Sequence, residues 1–149
     1  MPGIRNLDHV GITVTDLDTA SDFFVELGLE VEGRTFLEGE FLDTVVGMPG
    51  SRTEMILLRS PNGGASVELA TFLRPENEPG TTAAMANVLG LRSVAFEVDD
   101  VHALVERLAA IGYRLVGGIG EYEGVWRMAS VRGPEGIIVS LAERIDGAT

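Results

Sequence analysis

Along residues 4–14 the apolar Ile4, Val10, Ile12 and Val14 alternate with the small or polar His9, Gly11 and Thr13. That period of two predicts a strand with one face toward a core. Thr15 or Asp16 then caps a helix in which Leu17, Ala20, Phe24 and Leu27 fall at i, i+3, i+7 and i+10, with Phe23 beside them and Gly28 to end it. The design returns in the second half, with Asp99 or Asp100 as cap, Val101, Leu104, Val105 and Leu108 as the apolar stripe, and Gly112 as terminator. Three strand-like runs follow each helix, at 29–36, 52–60 and 64–72 and again at 113–118, 123–132 and 136–143. Each half therefore reads βαβββ. The stretch 33–50, with Phe36, Phe41, Val45 and Val46, is longer than a hairpin needs. It is read as a packed surface turn, with a lid as the alternative.

The halves also match residue by residue. Leu7-Asp8-His9-Val10-Gly11-Ile12-Thr13-Val14-Thr15-Asp16-Leu17 lies over Leu91-Arg92-Ser93-Val94-Ala95-Phe96-Glu97-Val98-Asp99-Asp100-Val101 without a gap. Gly64-Ala65-Ser66-Val67-Glu68-Leu69-Ala70 lies over Gly136-Ile137-Ile138-Val139-Ser140-Leu141-Ala142. His9 thus aligns with Ser93, and Glu68 with Ser140. The linker-like run Arg74-Pro75-Glu76-Asn77-Glu78-Pro79-Gly80-Thr81-Thr82 falls between the repeats. The expectation is a single domain over 1–149: module one at 4–73, a linker at 74–90 and module two at 91–143.

Because strand side chains alternate faces, His9, Gly11 and Thr13 share one side, as do Ser93, Ala95 and Glu97, Ser66, Glu68 and Ala70, and Ile138 and Ser140. The other side carries Val10, Ile12, Val67, Leu69, Val94, Phe96, Val139 and Leu141 and must take the helices. If the halves pack about a pseudo-two-fold axis into one curved sheet, positions 9, 68, 93 and 140 converge in its concave face.

Composition narrows the function classes. The chain has 149 residues and a formal net charge of −12, from 11 basic and 23 acidic residues, which disfavours nucleic acid and anionic membrane surfaces as partners. Cysteine is absent, so disulfides, thiolate metal sites and cysteine nucleophiles are excluded. No run approaches the ~20 apolar residues of a membrane helix, and a cytoplasmic location is expected.

Leu7-Asp8-His9-Val10-Gly11-Ile12-Thr13-Val14, Gly90-Leu91-Arg92-Ser93-Val94-Ala95-Phe96 and Gly133-Pro134-Glu135-Gly136-Ile137-Ile138-Val139-Ser140-Leu141 resemble segments of the vicinal oxygen chelate superfamily of glyoxalases, bleomycin-resistance proteins and extradiol dioxygenases. The resemblance covers roughly residues 5–143. It implies an α+β fold of paired βαβββ modules, a cupped mixed sheet with a concave ligand pocket, and a homodimer. In metal-dependent members with all four ligands on one chain, the ligands come from the positions of His9, Glu68, Ser93 and Ser140, usually with His and Glu at the last two. This sequence keeps the first pair and has serine at both positions of the second. One imidazole and one carboxylate fall short of the three protein ligands of a typical catalytic zinc site. The expected cofactor is therefore none, or a weakly held divalent zinc, manganese, nickel or cobalt on His9 and Glu68. Glu97 shares a face with Ser93 but lies about 13 Å along the strand, too far to replace a ligand. His102 falls off its helix's apolar stripe and reads as a solvated residue.

As a dyad, His9 and Glu68 have their own chemistry, since a carboxylate fixes the imidazole tautomer and raises its basicity for proton abstraction beside a carbonyl. The bland alternative is a hydrogen-bonded structural pair. Ser93 and Ser140 either donate to a ligand or leave room for it, and no second histidine stands ready to activate them as nucleophiles. Trp126, Met128, Tyr122, Met55 and Leu57 lie on strands that could line a pocket for a planar or hydrophobic molecule. Gly118-Ile119-Gly120 opens no helix, so a dinucleotide fingerprint is not read there. Two functions remain. One is a binding protein of the bleomycin-resistance type for a small hydrophobic or antibiotic-like molecule. The other is a lyase or isomerase of the glyoxalase or methylmalonyl-CoA epimerase type, acting on a small carbonyl or thioester through His9 and Glu68.

Overall fold

Strand β1 (His9–Thr13) is shorter than the alternation over 4–14 predicts, because the strand it pairs with, β4 (Ser66–Arg74), begins opposite His9. Ile4 and Leu7 precede that pairing and are exposed. The computed structural model describes residues 2–147, and the chain divides between Pro79 and Gly80 into two compact units. The first also holds α1 (Leu17–Leu27), β2 (Glu30–Glu38), α2 (Glu40–Val46) and β3 (Arg52–Arg59), with strand order β1-β4-β3-β2. The second holds β5 (Ser93–Glu97), α3 (Val101–Ala110), β6 (Gly120–Tyr122), β7 (Trp126–Arg132) and β8 (Ile138–Arg144), in the order β5-β8-β7-β6. In each sheet the first strand runs parallel to its neighbour and the other pairs are antiparallel.

The sequence repeat reappears as a repeat of register. Val10 pairs with Val67 and Ile12 with Leu69, while Val94 pairs with Val139 and Phe96 with Leu141. In unit one α1 packs on β3 and β4, and Phe24 of the helix, Leu58 of β3 and Leu69 of β4 are 0% exposed. In unit two, Val139 and Leu141 of β8 and Val131 of β7 form the buried layer with Val101 and Leu108 of α3. Burying each large apolar side chain contributes on the order of 1.5–3 kcal/mol, the main reason these helices hold.

Both helices start as the caps predict. Asp16 accepts from the Thr19 amide and Asp100 from the Ala103 amide, each at 3.0 Å. Gly28 closes α1 in the left-handed region at φ 113°, its amide turned back to the Phe24 and Val25 carbonyls. Arg34 ties α1 to the sheet, reaching Glu54 at 2.7 Å and Asp18 at 2.5 Å.

Two stretches differ from the sequence reading. Residues 113–118 form no strand and touch β7 through a single bridge, Leu115 to Val131, before the edge strand β6 begins at Gly120. Gly117 and Gly118 bring no side chains to pack on a sheet face, which weakens a strand there. Residues 40–46, read within a packed turn, instead form α2, with Leu42 buried. Asp43 holds this helix down, accepting from the Gly50 amide at 2.9 Å, the Ser51 amide at 2.9 Å and the Ser51 hydroxyl at 2.7 Å.

Candidate functional site

In unit one the sheet face away from α1 carries the predicted residues. Gly11 pairs with Glu68, Glu68 with Leu57, and Ala70 with Met55, so alternation places His9, Glu68, Met55 and Leu57 on one side. The imidazole of His9 stands between two carboxylates. Its Nδ1 lies 2.7 Å from Asp8 Oδ2 and its Nε2 lies 3.5 Å from Glu68 Oε2. The hydrogen bond to Asp8 raises the His9 pKa above the ordinary histidine value, desolvation opposes it, and the Glu68 charge adds to the rise. Asp8, next to His9 in the chain, is a partner that the sequence reading missed. A carboxylate on Nδ1 favours a proton on that nitrogen and leaves Nε2 facing the sheet.

Asp8 and Glu68 address opposite nitrogens of the ring, so they cannot converge on one ion together with it. Among the described residues, no group of three or more histidines and acids could hold a metal ion. The donor set of unit one does not fit a catalytic divalent centre of three protein ligands.

Beside Glu68 the same face opens into a cavity of about 230 Å³ under α2. Leu42 and Val46 of α2 roof it; Met55, Ala70 and Phe72 supply its sheet side, and Glu68 and Thr13 also line it. Met55 is thus a lining residue, whereas Leu57, opposite Glu68, is outside the lining. Thr53 lines it too, and its hydroxyl is buried, with no hydrogen-bond partner among the described residues. Neither α2 nor Thr53 figured in the sequence reading. The signals were Leu42 and Val46 at i and i+4, and the two-residue step from Thr53 to Met55 to Leu57.

In unit two, the face away from α3 carries Ser93, Ser140, Trp126 and Met128, by the same alternation. Ser93 is exposed and lies opposite Ile138, while Ser140 pairs with Ala95 across the parallel ladder. The Ser140 hydroxyl is 2.9 Å from that of Ser130, a neighbour that the sequence reading missed. The Arg144 guanidinium covers the Trp126 ring at 5.3 Å, and Met128 is exposed. A wider cleft of about 570 Å³ in this unit is lined by Met85, Tyr113, Arg114, Val116 and Arg132 among others, and by none of those four. Among the described residues no base is hydrogen-bonded to either serine, so this face offers hydrogen bonds and shape rather than an activated nucleophile. His102 is exposed on α3.

The sequence profile of the Glyoxalase/Bleomycin resistance protein/Dioxygenase superfamily matches residues 8–129. A glyoxalase family protein from Bacillus cereus is 38% identical and superposes with a TM-score of 0.92, over 97% of both chains. A glyoxylase/bleomycin resistance protein/dioxygenase domain from Frankia sp. EAN1pec is 21% identical, with a TM-score of 0.69 over 98% of this chain and 96% of its own. TnmS3, an antibiotic binding protein from Streptomyces sp. CB03234, is 19% identical, with a TM-score of 0.63 over 97% of this chain and 99% of its own. No curated protein matches the sequence at a significant level.

Proposed function

The chain belongs to the glyoxalase/bleomycin resistance protein/dioxygenase superfamily, and on that premise we propose that it binds a small hydrophobic or antibiotic-like molecule without turning it over. The observation that carries this reading is the apolar cavity under α2, roofed by Leu42 and Val46 and opening beside Glu68. Mostly apolar concave sites with a few placed polar groups are the usual form of small-molecule pockets. A neighbour of the same fold is an antibiotic binding protein, which is in keeping with a sequestering role. In this reading Met55 lies against the ligand in unit one, with Leu57 two residues along the same strand, and Ser93, Ser140, Trp126 and Met128 form a separate set of candidate contacts on the open face of unit two. His9 and Glu68 supply a polar edge and hold at most a weak divalent ion. The chain acts as a cytoplasmic homodimer, and its charge of −12 keeps nucleic acid from being a partner.

Titration against a panel of aromatic and polyketide-like compounds tests it. A binder saturates at one equivalent per chain, with the compound recovered unchanged. Conversion of many equivalents would refute it.

A second reading, a lyase or isomerase, is favoured by one specific observation: the Asp8 carboxylate on His9 Nδ1. That contact would make Nε2 a stronger base toward a proton beside a carbonyl, with Glu68 at hand to share it. Metal content separates the variants of this reading. After equilibration with zinc, manganese, nickel and cobalt and desalting, about one ion per chain, lost in Glu68→Ala, would support metal-assisted chemistry. Metal no higher than in the mutant would leave only the metal-free dyad.

A further inference from the structure

Arg114 and Arg132 stand directly opposite each other in unit two. The Arg132 amide donates to the Arg114 carbonyl at 3.0 Å and the Val116 amide to the Ser130 carbonyl at 2.8 Å, on either side of the antiparallel Leu115–Val131 bridge. Opposed residues of such a ladder share a face with their Cβ atoms about 4.5–5.5 Å apart, and like charges placed so repel. Both side chains line the cleft of about 570 Å³. We propose that this cleft binds a small organic monoanion, a carboxylate on an apolar or aromatic body, whose acid group is taken by Arg114 in the field of Arg132. The site belongs to the other unit from the cavity under α2, and it stands or falls independently of the binding reading above.

The pairing of charges carries this inference. The chain has 23 acidic residues against 11 basic ones, so carboxylates are plentiful. Arg34, Arg52, Arg59, Arg74, Arg127 and Arg144 each meet one. Among the described residues, Arg114 and Arg132 meet none. Arg132 donates instead to the Thr82, Gly136 and Ala84 carbonyls, which hold its guanidinium in place without cancelling its charge. Arg114 is exposed, and its planar fork matches the two oxygens of a carboxylate. Two unneutralised cations in one concave site focus a positive potential, and an anion bound there also relieves their repulsion.

Glu135 sets the limit on that anion. It lines the cleft as well, so two guanidiniums against one carboxylate leave a single positive charge for the ligand to match. A dianion such as a phosphate monoester meets more repulsion from Glu135 than a carboxylate does. Met85, Tyr113 and Val116 add wall for an apolar body, and the volume lies in the ~300–1,000 Å³ range of small-molecule pockets.

Amide NMR of the full chain, titrated with benzoate and with benzamide as its neutral counterpart, tests this. Benzoate should bind the more tightly and shift amides within residues 112–116 and 132–135. Arg114→Gln, at an exposed position, removes the charge and keeps a polar side chain. It should weaken benzoate about tenfold, the low end for hydrogen bonds to a charged group, and leave benzamide unchanged. Glu135→Gln should tighten benzoate. Benzoate that binds no better than benzamide, shifts that fall elsewhere, or an affinity indifferent to Arg114→Gln would each overturn the site. Phenyl phosphate binding above benzoate, or no tightening in Glu135→Gln, would overturn the choice of a monoanion.

Discussion

The Asp43 carboxylate takes both the amide and the hydroxyl of Ser51, at 2.9 and 2.7 Å, and so fastens α2 to the start of β3. Those bonds and the one from Gly50 hold the Asp43 pKa below the ordinary aspartate value. A depressed folded pKa means that the stabilisation is present above the unfolded value and is lost as pH falls through the folded one. Asp43→Ala at neutral pH, and the wild type in acid below that folded pKa, should both loosen residues 40–51. Hydrogen exchange is the measurement. Faster exchange is expected at the amides of Gly50 and Ser51. Unchanged exchange in Asp43→Ala would show that α2 holds by its apolar contacts alone.

His9 should titrate above an ordinary histidine, and Asp8→Asn should lower its pKa more than Glu68→Gln does, in the order of their effects on the ring. A raised histidine pKa contributes stability that is full below the unfolded value and is lost as pH rises through the folded one. Its side chain is 41% exposed, so screening keeps that contribution under about 1 kcal/mol. Proton NMR of the imidazole reads the pKa directly. A larger drop in Glu68→Gln would reverse the assignment of partners.

Gly136→Ala should destabilise the chain more than Gly28→Ala. Both glycines have positive φ, 84° and 113°, which costs alanine about 1 kcal/mol. At Gly28 a Cβ would point into open space, while at Gly136 it would land on the Thr82 backbone. Arg132 donates to the Thr82 and Ala84 carbonyls of that segment and also to the Gly136 carbonyl, so the two sides of the contact have little freedom to separate. Urea midpoints compare the two variants; equal losses would mean that residues 80–85 yield.

Leu69→Ala and Leu141→Ala, matching positions of the repeat and both 0% exposed, should each cost about 2–5 kcal/mol. Met128→Ala, on the open face, should stay within about 0.5 kcal/mol. Thermal or urea unfolding checks all three. A large loss at Met128 would place that side chain under a cover of its own.

Most of the fold was legible because its signals are local and repeated. Asp16 and Asp100 sit where caps must be, and Gly28 and Gly112 follow the last helical turns. Alternation in β1 and β5 separates the helix side from the open side residue by residue. What escaped depended on distance. The α2 helix has only seven residues, too few for a period to declare itself, and it is held by Asp43 reaching Ser51 eight positions away. At the site, His9 and Glu68 were found through the repeat, but Thr53 was not. Nothing in a sequence marks which threonine loses its water. Asp8 is the opposite case, visible beside His9 yet outside the strand alternation that organised the reading.

On β1 and β5 alike, the more buried side chains and those that face away belong to alternate residues of one strand. The packed layer can therefore stay unchanged while every second residue is replaced. His9 to Ser93 and Glu68 to Ser140 are such replacements between the chain's own two copies, made without disturbing the apolar pairs beside them. Packing and surface chemistry are carried here by interleaved residues, and a new specificity can be written on the open-face positions without renegotiating the packed ones.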